Sequence, residues 1–227
     1  RQSPLDRAAG NSPVPTRFGR PRCPKEFTYR IVHRLRRITQ RGSRRNFLAH
    51  YDLGNEFYIL LLDPSMTDSC ALFDGSYCVL QTAQERKWDR LLDLMRPKPG
   101  DTLLEIGCGW GGFAIHAAKT RGCRVVGITI SDEQFRWATR RVADEGVADL
   151  VEIRLQDYRD VSGLFDHVAS IEMFEAVGER YWPQFFRVLR QRLKPGGVAA
   201  LQTITIADER FEDYRRRADF IQRYVFP

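Results

Sequence analysis

Residues 102–118 read TLLEIGCGWGGFAIHAA. An apolar run, Leu103, Leu104 and Ile106, leads into Gly107, Gly109, Gly111 and Gly112. Phe113, Ile115, Ala117 and Ala118 then follow a helical pattern. The stretch predicts a strand, a tight glycine turn and a helix. Glycine is needed where backbone takes positive φ, or where a ligand approaches too closely for a Cβ. The pattern is E-x-G-x-G-x-G. It is not the dinucleotide fingerprint G-x-G-x-x-G, and it lacks the Lys-Ser/Thr of a phosphate loop. Glu105 beside the turn repels phosphate and suits an ammonium group. A ligand with an amino-acid end and a nucleoside end meets both conditions, and S-adenosylmethionine (SAM) is such a ligand. A ligand-free strand–helix turn is the bland alternative for this stretch taken alone.

Working outward, strand and helix patterns alternate. A helix over 84–95 places Trp88, Leu91, Leu92 and Met95 on one face, and Pro97 and Pro99 stop it. RVVGITI (124–130) reads as a second strand. Ser131 caps the next helix, with Gln134 at the capping-box position, and that helix runs to about 144 before Gly146. Strands follow at 150–155 and 167–173. A helix over 180–193, closed by KPGG, precedes a strand at 198–206. Strands apolar on both faces, alternating with helices, predict an α/β fold with a parallel sheet. Ligands of such sheets bind beyond the carboxyl ends of the strands.

One pocket is therefore expected from several strand ends. Thr129, Ser131 and Gln134 offer hydroxyls and an amide to ribose, with no acid at that position. Gln156, Asp157 and Tyr158 follow strand three, where Asp157 could accept from an adenine amine and Tyr158 could bracket the ring. Asp157 and Tyr158 also suit an ordinary turn. Phe174 and Glu175 follow strand four.

The chain has 227 residues, 43% hydrophobic and 11% aromatic, enough for one sizeable domain with appendages. No run reaches membrane-spanning length and the N-terminus has no signal-peptide core. Five cysteines without zinc-ligand spacing read as reduced thiols of a cytosolic protein. A net charge of +7 favours anionic partners. Residues 1–24, rich in Pro, Arg, Ser and Gly, predict a disordered tail. Over 25–45, Phe27, Ile31, Leu35 and Ile38 recur at helical spacing among eight Lys and Arg. This basic amphipathic helix suits docking on anionic lipid, and equally a solvated face packed on the main domain.

Six stretches occur in order: HYDLGNEFY (50–58), MTDSCALF (66–73), LLEIGCGWGGFA (103–114), GITISDEQ (127–134), FEAVG (174–178) and LQTITI (201–206). Together they resemble the cyclopropane-fatty-acyl-phospholipid synthases and mycolic acid cyclopropane synthases, over about residues 43–227. The resemblance implies a Rossmann-like class I SAM-dependent methyltransferase domain over 46–227. It implies methyl transfer to the double bond of unsaturated phospholipid acyl chains. A carbocation results, which closes to a cyclopropane or leaves a methyl or methylene branch. It adds Asp68, Ser69 and Ile171 to the cofactor contacts Glu105, Gly107, Gly109, Gly111, Thr129, Ser131, Gln134, Gln156, Asp157 and Tyr158. It also implies a bound bicarbonate as the base, held by Cys70, Glu175, Gln202 and the backbone at Ile204. It further implies a cytoplasmic protein, peripheral on the inner face of an anionic membrane, and it allows a homodimer. Nucleic acid is not expected as a partner, because the basic residues cluster away from the pocket. No metal is expected.

Two departures stand out. Gln202 occupies a position where the best-known members carry histidine; an amide donates to a carbonate oxygen but takes no proton. Either the histidine is dispensable there or the outcome of the reaction differs. Family members also continue into two further strands and supply a tyrosine from that region. The reading is therefore of a fold incomplete at its C-terminus, with an open sheet edge. The alternatives are a methyltransferase with another small-molecule acceptor, or a truncated non-catalytic protein that binds SAM or membrane.

Overall fold

Leu103 and Leu104 point to opposite faces of their strand, as the two-residue period of a strand requires, and each enters a different core. The computed structural model describes residues 54–75 and 78–216. The expected tail (1–24), the basic segment (25–45), His50, Tyr51 and Asp52, and the chain's last residues lie outside them. β1 (Thr102–Ile106) is the centre of a five-stranded sheet with β2 (Arg124–Thr129), β3 (Val151–Leu155), β4 (Phe165–Ile171) and β5 (Leu193–Gln202). The order is β3-β2-β1-β4-β5, and all neighbours run parallel.

Helices cover both faces. On one face, Leu103, Val125 and Ala169 pack with α2 (Leu80–Met95), α3 (Gly112–Arg121) and α4 (Asp132–Asp144), after the short α1 (Asn55–Leu61). On the other, Leu104, Ile106, Ile128 and Val168 pack with Phe185 and Leu189 of α5 (Trp182–Arg192). A last helix, α6, spans Asp208–Arg216. Burying each of these leucines contributes ~1.5–3 kcal/mol. Among the described residues no helix is long and apolar enough to cross a membrane.

The strand and helix order matches the sequence reading, with three shifts. β4 ends at Ile171, because Glu172 takes a left-handed φ of 48°. β5 begins at Leu193 and ends at Gln202, so the KPGG turn lies within the strand as an irregularity and Ile204 lies beyond it. The capping box is half formed. Ser131 accepts from Gln134 N–H at 3.3 Å, but the Gln134 side chain accepts from the Thr129 hydroxyl at 2.7 Å instead of returning to Ser131.

Candidate functional site

The glycine turn folds back on its neighbour strand. Gly107 N–H and Cys108 N–H both donate to the Ile128 carbonyl, at 3.0 and 2.9 Å. Gly107, Gly109 and Gly111 all have positive φ. A Cβ on Gly107 would lie 2.9 Å from Met173 Cγ, whereas one on Gly109 would meet nothing within 4 Å. Gly109 thus leaves backbone open to a pocket at the carboxyl ends of β1, β2 and β4. Its apolar walls are Ile106, Ile128, Ile130, Ile171 and Val177. Its polar groups come from Asp68, Thr129, Gln134, Gln156, Asp157 and Glu172.

Nine of the expected cofactor contacts line this pocket: Asp68, Gly107, Gly109, Thr129, Gln134, Gln156, Asp157, Tyr158 and Ile171. Their side chains are partly engaged already. The Thr129 hydroxyl donates to Gln134 and accepts from Ser131 N–H at 3.1 Å, which leaves the Gln134 amide N–H₂ as the donor nearest the pocket. Asp157 accepts from Arg159 at its backbone N–H, its Nε (2.8 Å) and its terminal nitrogen (2.6 Å). A carboxylate has about four acceptor sites, so one remains for an amine. Tyr158 sits edge-on to Phe185 at 5.5 Å, which fixes its ring as a wall.

Four expected contacts lie behind the wall. Gly111 caps α3 with φ 85° and faces Ala138. Ser131 is buried in its cap. Ser69 is buried and its hydroxyl accepts from Lys87 Nζ at 2.7 Å. Glu105 shares the side of β1 that Leu103 occupies and so enters the α2–α3 layer under the turn. There it is 2% exposed, accepts from Ala114 N–H, and keeps one oxygen without a partner among the described residues. Burial pushes its carboxyl up to about 8, against the pull of Lys87 and that N–H. Burial likewise brings the Lys87 ammonium down to about 8, against the charges of Glu172, Cys70, Asp68 and Asp63.

The expected catalytic residues gather beside the pocket. Parallel pairing sets Ile171 against Gln202, which brings the turn after β4 to the end of β5. Gln202 Nε2 lies 2.8 Å from Glu172 Oε1, 3.2 Å from Cys70 Sγ and 3.3 Å from the Cys70 carbonyl. Cys70 N–H donates to Glu172 Oε1 at 3.0 Å. The Cys70 thiol is raised above its ordinary range, first by its hydrogen bond to Glu172, then by burial and by that carboxylate's charge. Glu175 Oε1 accepts from the Thr203 hydroxyl at 2.8 Å and from Ile204 N–H, while its Oε2 is buried without a partner among the described residues.

Sequence reasoning missed Glu172, Lys87 and Gln84. Gln84 Nε2 donates to the Ser69 carbonyl at 2.8 Å, so α2 holds the 67–70 loop by two side chains. The signal was present. Positions 84, 87, 88, 91, 92 and 95 form one helical stripe, and a glutamine and a lysine within it are out of place on an apolar face. Glu172 carried no such signal, since it read as the interior of a strand. The histidine on α3, His116, meets Asp89 at 3.0 Å and the Trp88 ring. Cys108 turns inward against Gly127.

A family model described as mycolic acid cyclopropane synthetase matches residues 39–227. The chain is 43% identical over 220 residues to the tuberculostearic acid methyltransferase of Mycobacterium tuberculosis, covering 89% of this chain and 51% of that protein. It is 39% identical over 183 residues to the cyclopropane-fatty-acyl-phospholipid synthase of Escherichia coli, covering 78% of this chain and 44% of that protein. The chain thus spans about half the length of these curated relatives. A crystal structure of a mycolic acid cyclopropane synthase complexed with SAH and CTAB superposes with a TM-score of 0.76 at 34% identity, covering 81% of this chain and 68% of that one. The fold is that of the class I SAM-dependent methyltransferases.

Proposed function

The chain belongs to the mycolic acid cyclopropane synthetase family, and from that premise we propose that it methylates the double bond of unsaturated phospholipid acyl chains. The product is a cyclopropane, or a methyl or methylene branch, formed through a carbocation. The position of Glu172 carries the reading. It lines the glycine-turn pocket and is also bonded to Cys70 and Gln202. The cofactor half and the alkene half of the chemistry would meet there.

The pocket fits SAM, which when bound supplies an electrophilic methyl group on a sulfonium. Gly109 gives it open backbone; Gln134 and Asp157 keep a donor and an acceptor site for the nucleoside; Ile128, Ile171 and Val177 exclude water. An alkene is a weak nucleophile, so the residues' main task is to hold it in line with that methyl. Bicarbonate fits less well. The donors it would use, the Gln202 amide and Ile204 N–H, are taken by Glu172 and Glu175. An added anion would also face two carboxylates.

The net charge of +7, and the exposed Ile59, Leu60 and Leu61 of α1, suit work at an anionic membrane surface on its cytoplasmic face. The test is expression of this chain, and of Glu175→Gln, in a bacterium deleted for its own synthase, with acyl chains read by gas chromatography–mass spectrometry. An acyl species one carbon longer is expected, made in smaller amount by the variant, whose lost carboxylate holds Thr203 and Ile204 beside the pocket. Unchanged lipids from a chain that binds SAM in calorimetry would overturn the acyl assignment and point to another acceptor.

A further inference from the structure

We infer that Glu172 is the resident proton acceptor of this site, in the place of a bound anion. The inference rests on the reading above and names the base it needs. A proton must leave the carbocation, and four groups around Glu172 are ill suited to take it. Gln202 is an amide. Cys70 is held as a thiol. Glu175 spends one oxygen on Thr203 and Ile204, keeps the other buried, and does not line the pocket. Asp157 is forked on Arg159. Glu172 does line the pocket; its Oε1 accepts from Cys70 N–H at 3.0 Å and from Gln202 Nε2 at 2.8 Å, and its carboxylate also accepts from the Cys70 thiol.

Its backbone says the same. A glutamate at φ 48° is disfavoured relative to glycine, and strain of this kind is held where the surroundings over-determine it. Those surroundings are Glu172 N–H on the Gln202 carbonyl at 2.9 Å, and the Gln202 amide on the Glu172 carboxylate. The two residues lock each other across β4 and β5.

The step balances within the chain. The alkene π pair forms the new carbon–carbon bond to the methyl while the carbon–sulfur pair stays on sulfur. A C–H bond of the cation then breaks, its proton goes to the Glu172 carboxylate, and its electron pair closes the ring or forms a double bond. Solvent takes the proton from Glu172 before the next turnover.

The test uses the purified full chain with Glu172→Gln, Glu172→Asp and Glu172→Gly, with unsaturated phospholipid vesicles as acceptor in carbon-dioxide-stripped buffer. For Glu172→Gln, SAM affinity within twofold of wild type is expected, with turnover down ~10²-fold or more. The surviving products shift toward water-captured alcohols, as a cation left without a base would give. Glu172→Asp retains part of the ring-closing activity. Glu172→Gly, free of the left-handed strain, binds SAM and is as slow as Glu172→Gln. Added bicarbonate leaves the wild-type rate unchanged. A Glu172→Gln variant within threefold of wild type with the same products, or a severalfold rise of wild-type rate with bicarbonate, overturns this inference alone. A wild-type chain that makes no acyl product removes the parent reading and this one together.

Discussion

The two ends of this sheet are built on opposite terms. At the amino ends of β1 and β4 the charges close on one another. Asp166 accepts from Thr102 N–H, from the Thr102 hydroxyl and from Lys194 Nζ, each at 2.8 Å. Asp101 accepts from Lys98 N–H at 2.8 Å and meets His167 at 3.1 Å. His167 Nδ1 is the exception, buried without a partner among the described residues. At the carboxyl ends two glutamates each keep a buried oxygen unpaired among the described residues, Glu105 below the turn and Glu175 beside it. A third, Glu172, sits on strained backbone. Buried polar atoms without partners cost stability. One end therefore satisfies its polar groups, and the other leaves three glutamates strained or partly unpaired around the candidate pocket.

Gly107→Ala should separate the ends most. The new Cβ would lie 2.9 Å from Met173 Cγ on backbone at φ 81°. Left-handed strain of ~1–2 kcal/mol adds to overpacking of ~1–3 kcal/mol. A loss of about 3 kcal/mol in urea unfolding is expected, together with loss of SAM binding. A loss under ~1 kcal/mol with binding intact would mean that Met173 and the turn yield to the added Cβ.

Asp166→Asn should touch only the other end. Replacing the carboxylate that three donors share by a neutral amide costs ~1–3 kcal/mol, with SAM affinity and products unchanged. Lys194 first, then Thr102 N–H, hold the Asp166 carboxyl well below the usual range. A carboxyl lowered on folding stabilises above its unfolded value, near 3.8, and loses that contribution as pH falls toward its folded value. The gap between variant and wild type should therefore narrow below about pH 4. An altered SAM affinity would break the division between the ends.

The fold was legible because its signal is periodic. Leu103, Leu104 and Ile106 before glycines mark β1 whatever surrounds them. The pocket was legible for the same reason, since parallel strands carry their ends to one place. Which side chains face it was less so. Glu105 looked like a ligand contact by its nearness in sequence to the turn, but strand parity sends it to the far face with Leu103. Glu172 was hidden because its role depends on φ and on a partner 30 residues away, Gln202. The active-site end breaks local rules, and sequence patterns report rules.

The smallest effect tests the buried pair under the turn. Glu105 is raised to about 8 and Lys87 lowered to about 8, both chiefly by burial. Between about pH 4.5 and 8 the folded chain holds the Glu105 proton that the unfolded chain has released. Stability falls with rising pH across that window, by at most about 1.4 kcal/mol per unit. Between about 8 and 10.5 the unfolded chain holds the Lys87 proton that the folded chain has lost, so stability rises. The two groups therefore carve a minimum near pH 8. Glu105→Gln should change stability at pH 6 by under ~1 kcal/mol, because a neutral amide replaces a neutral acid, yet flatten the lower limb. Lys87→Met should flatten the upper limb and extend the lower one to higher pH, because the pull of Lys87 on Glu105 is gone. Unfolding free energies from pH 5 to 10 for the three chains, compared as differences, isolate these groups from the rest. If Glu105→Gln tracks wild type at every pH, the glutamate is not held protonated, and the carboxyl end of the sheet is better neutralised than its geometry implies.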